Sequence, residues 1–147
     1  MKMQHDDYER QYLKDILTQV KVIALTGASP NPQRPSHGVM RFLLGRGYKV
    51  IPVNPGQAGK EILGQTVYAR LADIPEPVDM IDVFRASEYL DSVVDEALAL
   101  SPKPSVIWAQ LGVRDDVAAG KAEASGIKMV MNRCPAIEHP RLIGWGD

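Results

Sequence analysis

The stretch Val22-Ile23-Ala24-Leu25-Thr26-Gly27-Ala28-Ser29 decides the fold. Its apolar run has no polar alternation and stops at Thr26-Gly27, which suits a strand covered on both faces, as in a parallel sheet. Downstream the pattern recurs. Val39, Met40, Phe42, Leu43 and Leu44 form a helical stripe ending at Gly45-Arg46-Gly47, a glycine stop. Tyr48 to Val53 reads as a second strand, with Pro52 tolerable only near its end or on an open side. Asp79 to Phe84 is a strand followed by a helix from about Ser87 to Leu100. Ser105 to Ala109 is the next strand and Asp115 to Ser125 the next helix; Gly126 stops it, and Ile127 to Met131 is the last strand. Upstream, Tyr8, Tyr12, Leu13, Ile16, Leu17 and Val20 have helical spacing and predict an amphipathic helix within residues 1–19.

Strands alternating with helices of this length predict βαβ units. The expected fold is therefore α/β: a doubly wound, mostly parallel sheet of about five main strands with helices on both faces. One segment breaks the alternation. Asn54 to Pro77, rich in proline and glycine, reads as loop with a short strand near Thr66-Val67-Tyr68. Loops this long in compact domains are usually functional or mobile.

Composition narrows the function. A chain of 147 residues, 45% hydrophobic and 24% charged, has the make-up of an ordinary globular domain. A domain of that length buries about 68–70% of its unfolded surface, enough for a core without disulfides or metal. Seventeen basic and eighteen acidic residues give a net charge of −1, which argues against a nucleic-acid partner. A single cysteine precludes an intramolecular disulfide framework and points to a reducing compartment. No run is apolar enough to span a membrane, and Met1 to Gln11 lacks the apolar stretch of a signal peptide. A cytoplasmic location without membrane contact is expected.

In an open α/β sheet, ligands bind beyond the carboxyl ends of the strands. Here those ends carry Gly27-Ala28-Ser29, Val53-Asn54-Pro55, Phe84-Arg85, Ala109-Gln110 and Asn132-Arg133-Cys134. The turn from Gly27 to Ser36 leads from strand to helix through small residues, so backbone N–H groups can approach a phosphate. It is not a dinucleotide fingerprint, because Ser29 and Pro32 stand where Gly-x-Gly-x-x-Gly needs glycines. Nor does an acid end the second strand to hold a ribose; Asn54 and Pro55 do. Gly59-Lys60-Glu61 fails the P-loop pattern. Arg34, Lys60, Arg85 and Arg133 nonetheless fall along this rim, and together they suit a polyphosphate.

The series Gly27-Ala28-Ser29, Arg34-Pro35-Ser36, Val53-Asn54-Pro55, Asp82-Val83-Phe84-Arg85, Trp108-Ala109-Gln110-Leu111-Gly112 and Asn132-Arg133-Cys134-Pro135 resembles the small stand-alone CoA-binding proteins of bacteria and archaea. That family shares its Rossmann-like fold with the CoA-binding domain of the succinyl-CoA synthetase α subunit. The resemblance runs from about Val20 to Pro140 and implies one CoA-binding domain over residues 1–147, with coenzyme A or an acyl-CoA as ligand. It implies that Gly27, Ala28, Ser29, Arg34, Pro35 and Ser36 hold the pyrophosphate. Val53, Asn54 and Pro55 would flank the adenosine, with Lys60 reaching the ribose phosphate. Phe84 and Arg85 would border the cleft, and Trp108 and Gln110 would lie along it towards the pantetheine arm. The ligase's second domain and phosphorylated histidine have no counterpart here, so a binding role as carrier, sensor or regulator is expected rather than catalysis.

Catalytic readings of the sequence are weak. His37 follows the phosphate-type turn and could move a proton, but exposure in a first helical turn is the commoner case. The three histidines and the cysteine have no metal-ligand spacing. Asp79 and Asp82 point to opposite faces of their strand, and Asp82 is expected to be satisfied by backbone or by Arg85. Cys134, beside Arg133, could exchange with the CoA thiol; a buried small hydrophobe is the ordinary fate of such a residue. An NAD(P)-linked or acyl-CoA-processing enzyme would need His37 or Cys134 beside the ligand. The N-terminal helix, or the tail over residues 141–147 with Leu142, Ile143 and Trp145, would serve an interaction module or a homodimer.

Overall fold

The structure is a computed structural model and describes residues 3–144. Its elements are α1 (Arg10–Gln19), β1 (Val22–Thr26), α2 (Pro35–Gly45), β2 (Lys49–Val53), β3 (Glu61–Ile62), β4 (Gln65–Thr66), β5 (Met80–Val83), α3 (Leu90–Leu98), β6 (Val106–Ala109), α4 (Asp116–Ala124), β7 (Lys128–Val130) and α5 (Pro135–Leu142). Five of the strands form one parallel sheet in the order β2-β1-β5-β6-β7. This is the Rossmann-like, doubly wound arrangement. The chain starts in β1, winds outward to β2, then returns past β1 to β5 and continues the other way. The direction of winding thus reverses between β1 and β5.

Period-two alternation divides the side chains of the sheet between two cores. Ile23, Leu25, Met80, Trp108 and Val130 face α1, α2 and α5, meeting Leu13, Ile16, Leu17, Val39, Met40, Leu43 and Leu142. Ala24, Val53, Ile81, Val83, Ile107, Ala109 and Met129 face α3 and α4, meeting Leu90, Val93, Val94, Ala97, Ala118, Ala119 and Ala122. Burial on both faces is why these strands read as unbroken apolar runs. Among the described residues no helix is long and apolar enough to cross a membrane.

The long loop contains more than one short strand. β3 and β4 form a small antiparallel hairpin, and Tyr68 bridges Val53 in parallel. Tyr68 donates its N–H to Pro52 O at 3.1 Å and accepts from the Asn54 N–H at 2.9 Å. β2 is an edge strand, and Pro52 is tolerated there because this bridge uses only its carbonyl.

At the other edge, residues 3–9 do not extend the first helix but lie as a strap beside β7. The Tyr12 hydroxyl donates to Met129 O at 2.9 Å, and the Met131 N–H donates to the Tyr8 hydroxyl at 2.8 Å. Two phenols thus occupy backbone groups that an open edge would leave unpaired. α5, which the sequence pattern did not predict, begins at Pro135, a favoured first helical residue. Residues 141 and 142 belong to it, whereas Trp145 lies outside the described residues.

One buried polar expectation fails. Asp82, on the central strand, is fully buried, and neither carboxylate oxygen has a hydrogen-bond partner. The expected backbone or Arg85 partner is absent because the flanking register positions are Leu25 and Trp108, while Arg85 stacks over Tyr89 at 4.6 Å. Loss of solvent pushes the Asp82 pKa well above the usual carboxylate range and favours the protonated acid. Asp79 is satisfied instead: it accepts from the Lys21 and Val22 N–H groups at 3.0 and 2.9 Å, fastening the starts of β1 and β5.

Candidate functional site

At the reversal between β1 and β5, a cavity of about 300 Å³ opens against the carboxyl ends of β1, β2 and β5, with β1 and β5 held in close contact at its base. Gly27 makes this possible. It takes φ of +82°, and a Cβ there would stand 2.4 Å from Phe84 O. Its N–H donates to Val53 O at 3.1 Å, and the Phe84 N–H donates to Thr26 O at 2.9 Å. The turn is therefore fixed to both neighbouring strands. Asn54 fixes the second wall: its Nδ2 donates to Ala28 O at 2.7 Å, and its Oδ1 accepts from the Gly56 N–H at 2.8 Å.

Of the sequence-predicted residues, this cavity gathers Gly27, Val53, Asn54, Pro55 and Arg85. It adds Thr26, the end of the first strand, and Ala69, Arg70 and Glu96, which sequence reasoning missed. Arg70 sits on the far side of the loop, and Glu96 belongs to the charged face of α3. Neither carries a sequence signal that separates it from a solvated surface charge. Two guanidiniums beside a glycine turn can take phosphate oxygens through forked donors. Arg70 also pairs with Asp73 at 3.2 Å, an exposed contact that a ligand phosphate could exchange.

The rest of the predicted set does not line this cavity. Ser29 accepts from the Asn31 N–H at 3.1 Å and stabilises the approach to α2. Arg34 is the N-cap of α2 without a side-chain cap bond, and Pro35 is in its first turn. Ala28 and Ser36 are buried, Phe84 is half-buried, and Arg34, Pro35 and Lys60 are exposed. Gln110 is buried, with its Oε1 unpartnered.

Trp108 requires correction. Its indole is fully buried on the α1, α2 and α5 face, and Nε1 donates to Arg133 O at 3.0 Å. It therefore serves the core and the β6–α5 junction, and does not lie along a cleft. Arg133 is likewise committed. Its guanidinium stacks over Tyr8 at 5.0 Å and donates to Asp6 O at 3.2 Å and to Asn132 O at 2.9 Å. His37 is 7% exposed, against the expectation of an exposed ring, because it lies one turn before Met40 on the sheet-facing side of α2. Cys134 is a buried N-cap of α5. No group of three His, Cys, Asp or Glu side chains among the described residues could hold a metal.

A second cavity, about 390 Å³, opens at the amino ends of the strands, lined by Val78, Pro77, Leu100 and Pro102 among others. It collects none of the predicted residues and lies at the wrong end of the sheet for a ligand of this fold.

Residues 21–140 match the CoA binding domain family model. The chain belongs to the CoA-binding domain family. It is 36% identical over 127 residues to the uncharacterized protein YneT of Bacillus subtilis, covering 86% of this chain and 91% of that one. A solved Thermus thermophilus structure superposes with a TM-score of 0.86 at 41% identity, covering 92% of this chain and all of the other. Similarity of 32% over 80 residues extends to the α subunit of an ADP-forming acetate–CoA ligase of Pyrococcus furiosus. It covers 52% of this chain but only 17% of that subunit. This CoA-binding domain thus has relatives both as a small protein and as a minor part of a ligase chain.

Proposed function

We propose that this chain binds coenzyme A or an acyl-CoA in the β1–β5 cleft and acts as a carrier, sensor or regulatory binding protein without turnover. The observation that carries the reading is the cleft itself. A glycine turn packed against the Phe84 backbone meets two guanidiniums at the point where winding reverses, inside a chain of the CoA-binding domain family. The pyrophosphate lies against the Gly27 turn and the start of α2, and the nucleoside lies against Val53, Asn54 and Pro55. Lys60 is exposed beyond that wall and reads the 3′-phosphate. The binding role is supported by the state of the two residues chemistry would need: His37 and Cys134 are both buried.

Isothermal titration with CoA, dephospho-CoA and NADP tests the reading. CoA is expected to bind at sub-millimolar concentration or better, and Arg85→Ala to weaken it at least tenfold. Dephospho-CoA should bind more weakly than CoA, with the difference removed by Lys60→Ala. No CoA binding at sub-millimolar concentration would refute the proposal, as would tighter binding of NADP. Cleavage of an acyl-CoA that disappears in His37→Ala would refute the non-catalytic part.

A further inference from the structure

Glu96 is the acid in a cleft whose other charged lining residues are Arg70 and Arg85. α3 turns Val93, Val94 and Ala97 into the sheet, and Glu96, one residue before Ala97, lies half-buried on the shoulder facing the cavity. Among the described residues its carboxylate receives no hydrogen bond and no ion pair. The cleft's guanidiniums do not pair with it: Arg70 meets Asp73, and Arg85 covers the Tyr89 ring.

An ionised carboxylate only accepts hydrogen bonds, and it repels phosphate. It therefore selects the uncharged, donor-bearing part of a nucleotide and directs the phosphates towards the arginines and the glycine turn. In doubly wound nucleotide-binding folds, an acid at the end of the second strand commonly takes a ribose hydroxyl. Here that place is held by Asn54, and both ends of its amide are used by the backbone of Ala28 and Gly56. The acceptor missing from β2 is supplied instead from α3, across the same cavity.

We propose that Glu96 is the specificity-determining acceptor of this site, taking a hydrogen bond from a donor on the nucleoside of the ligand. That donor is the exocyclic amine of the adenine or the 2′-hydroxyl of its ribose. The inference rests on the coenzyme reading above and adds to it the residue that recognises the nucleoside.

Calorimetry on the full chain decides it, with three titrants: CoA, its hypoxanthine analogue and its 2′-deoxy analogue. Circular dichroism confirms that Glu96→Ala and Glu96→Gln are folded, as expected for a helix-shoulder position. Charge-assisted hydrogen bonds are strong enough to predict that the wild type discriminates against one analogue by about 10- to 100-fold. Glu96→Ala should lose that discrimination by weakening CoA and the analogue that keeps the donor, while leaving the analogue that lacks it little changed. Selective loss with the hypoxanthine analogue identifies the amine; selective loss with the 2′-deoxy analogue identifies the hydroxyl. Equal binding of all three by the wild type overturns the assignment and leaves the coenzyme reading standing. So does a Glu96→Ala variant that keeps the wild-type ranking or binds all three more tightly. Failure of the wild type to bind CoA overturns the coenzyme reading and this assignment with it.

Discussion

Replacing Gly27 with alanine tests the junction on which the cleft depends. Two costs can be separated. The φ of +82° lies in the left-handed region, where an L side chain costs about 1–2 kcal/mol. The new methyl would also stand 2.4 Å from the Phe84 carbonyl oxygen and 2.8 Å from its carbon. Those atoms are backbone and cannot rotate away, and the Phe84 N–H is tied to Thr26 O at 2.9 Å. Relief requires the ends of β1 and β5 to separate, and such overpacking typically costs about 1–3 kcal/mol. The sum is roughly 2–5 kcal/mol against a typical total stability of about 5–15 kcal/mol, so the variant should remain folded but be strongly weakened.

Gly126→Ala is the control. Gly126 has φ of +87° with nothing within 4 Å of its Cβ position, so it bears only the conformational cost. Urea unfolding followed by circular dichroism should therefore place Gly27→Ala about 1–3 kcal/mol below Gly126→Ala. CoA titration should show at least a tenfold loss for Gly27→Ala and no change for Gly126→Ala. Equal stabilities for the two variants, or unaltered CoA affinity in Gly27→Ala, would refute the claim that this contact builds the site.

Asp82 supplies a pH test. Burial raises its native pKa, so between the unfolded value, near 3.8, and the native one only the unfolded chain ionises it. Stability then falls as pH rises, with a limiting slope of about 1.4 kcal/mol per pH unit, until the native pKa is passed. Asp82→Asn cannot ionise; its stability relative to wild type should increase from pH 4 to pH 8, and a constant difference in urea titrations would contradict the assignment. Tyr8→Phe leaves the Met131 N–H without its acceptor and should cost about 1–3 kcal/mol in the same assay; a neutral effect would show that water replaces the phenol. Cys134 is buried, so an aromatic disulfide reagent should modify it at least tenfold more slowly in the native protein than in urea, and comparable rates would show the thiol to be accessible.

The elements of the sheet could be read from local sequence because each strand is buried on both faces and each helix on one. Those constraints act along the chain, and they place β1, β2, β5, β6 and β7 within a residue or two of their observed ends. The strand near Thr66 was visible from the strand-favouring run Thr66-Val67-Tyr68, but its partner β3 was not, since Glu61-Ile62 sits in a glycine-rich stretch with no such run. The prolines at 135 and 140 hid α5, although Pro135 in a first turn opens a helix as readily as it interrupts one.

The ligand rim was legible wherever a residue acts through its own backbone or sits directly after a strand, as Gly27, Asn54, Pro55 and Arg85 do. It was illegible wherever the role depends on a distant partner. Trp108 looks like a cleft residue until Arg133 O is found against its indole, and Arg133 looks like a phosphate reader until the strap at Asp6 and Tyr8 engages it. Asp82 resembles a satisfied strand polar group until its neighbours prove to be Leu25 and Trp108. Glu96 is indistinguishable from any helix-surface acid until α3 is laid beside Val53 and Asn54, more than forty residues away in the chain. The sequence by itself determined the alternation, the parallel sheet and the carboxyl-end rim, because backbone conformation and burial are encoded by local period. Only the tertiary structure decided which charges face the cleft and which are engaged elsewhere, because that depends on packing between segments with no local relation to one another.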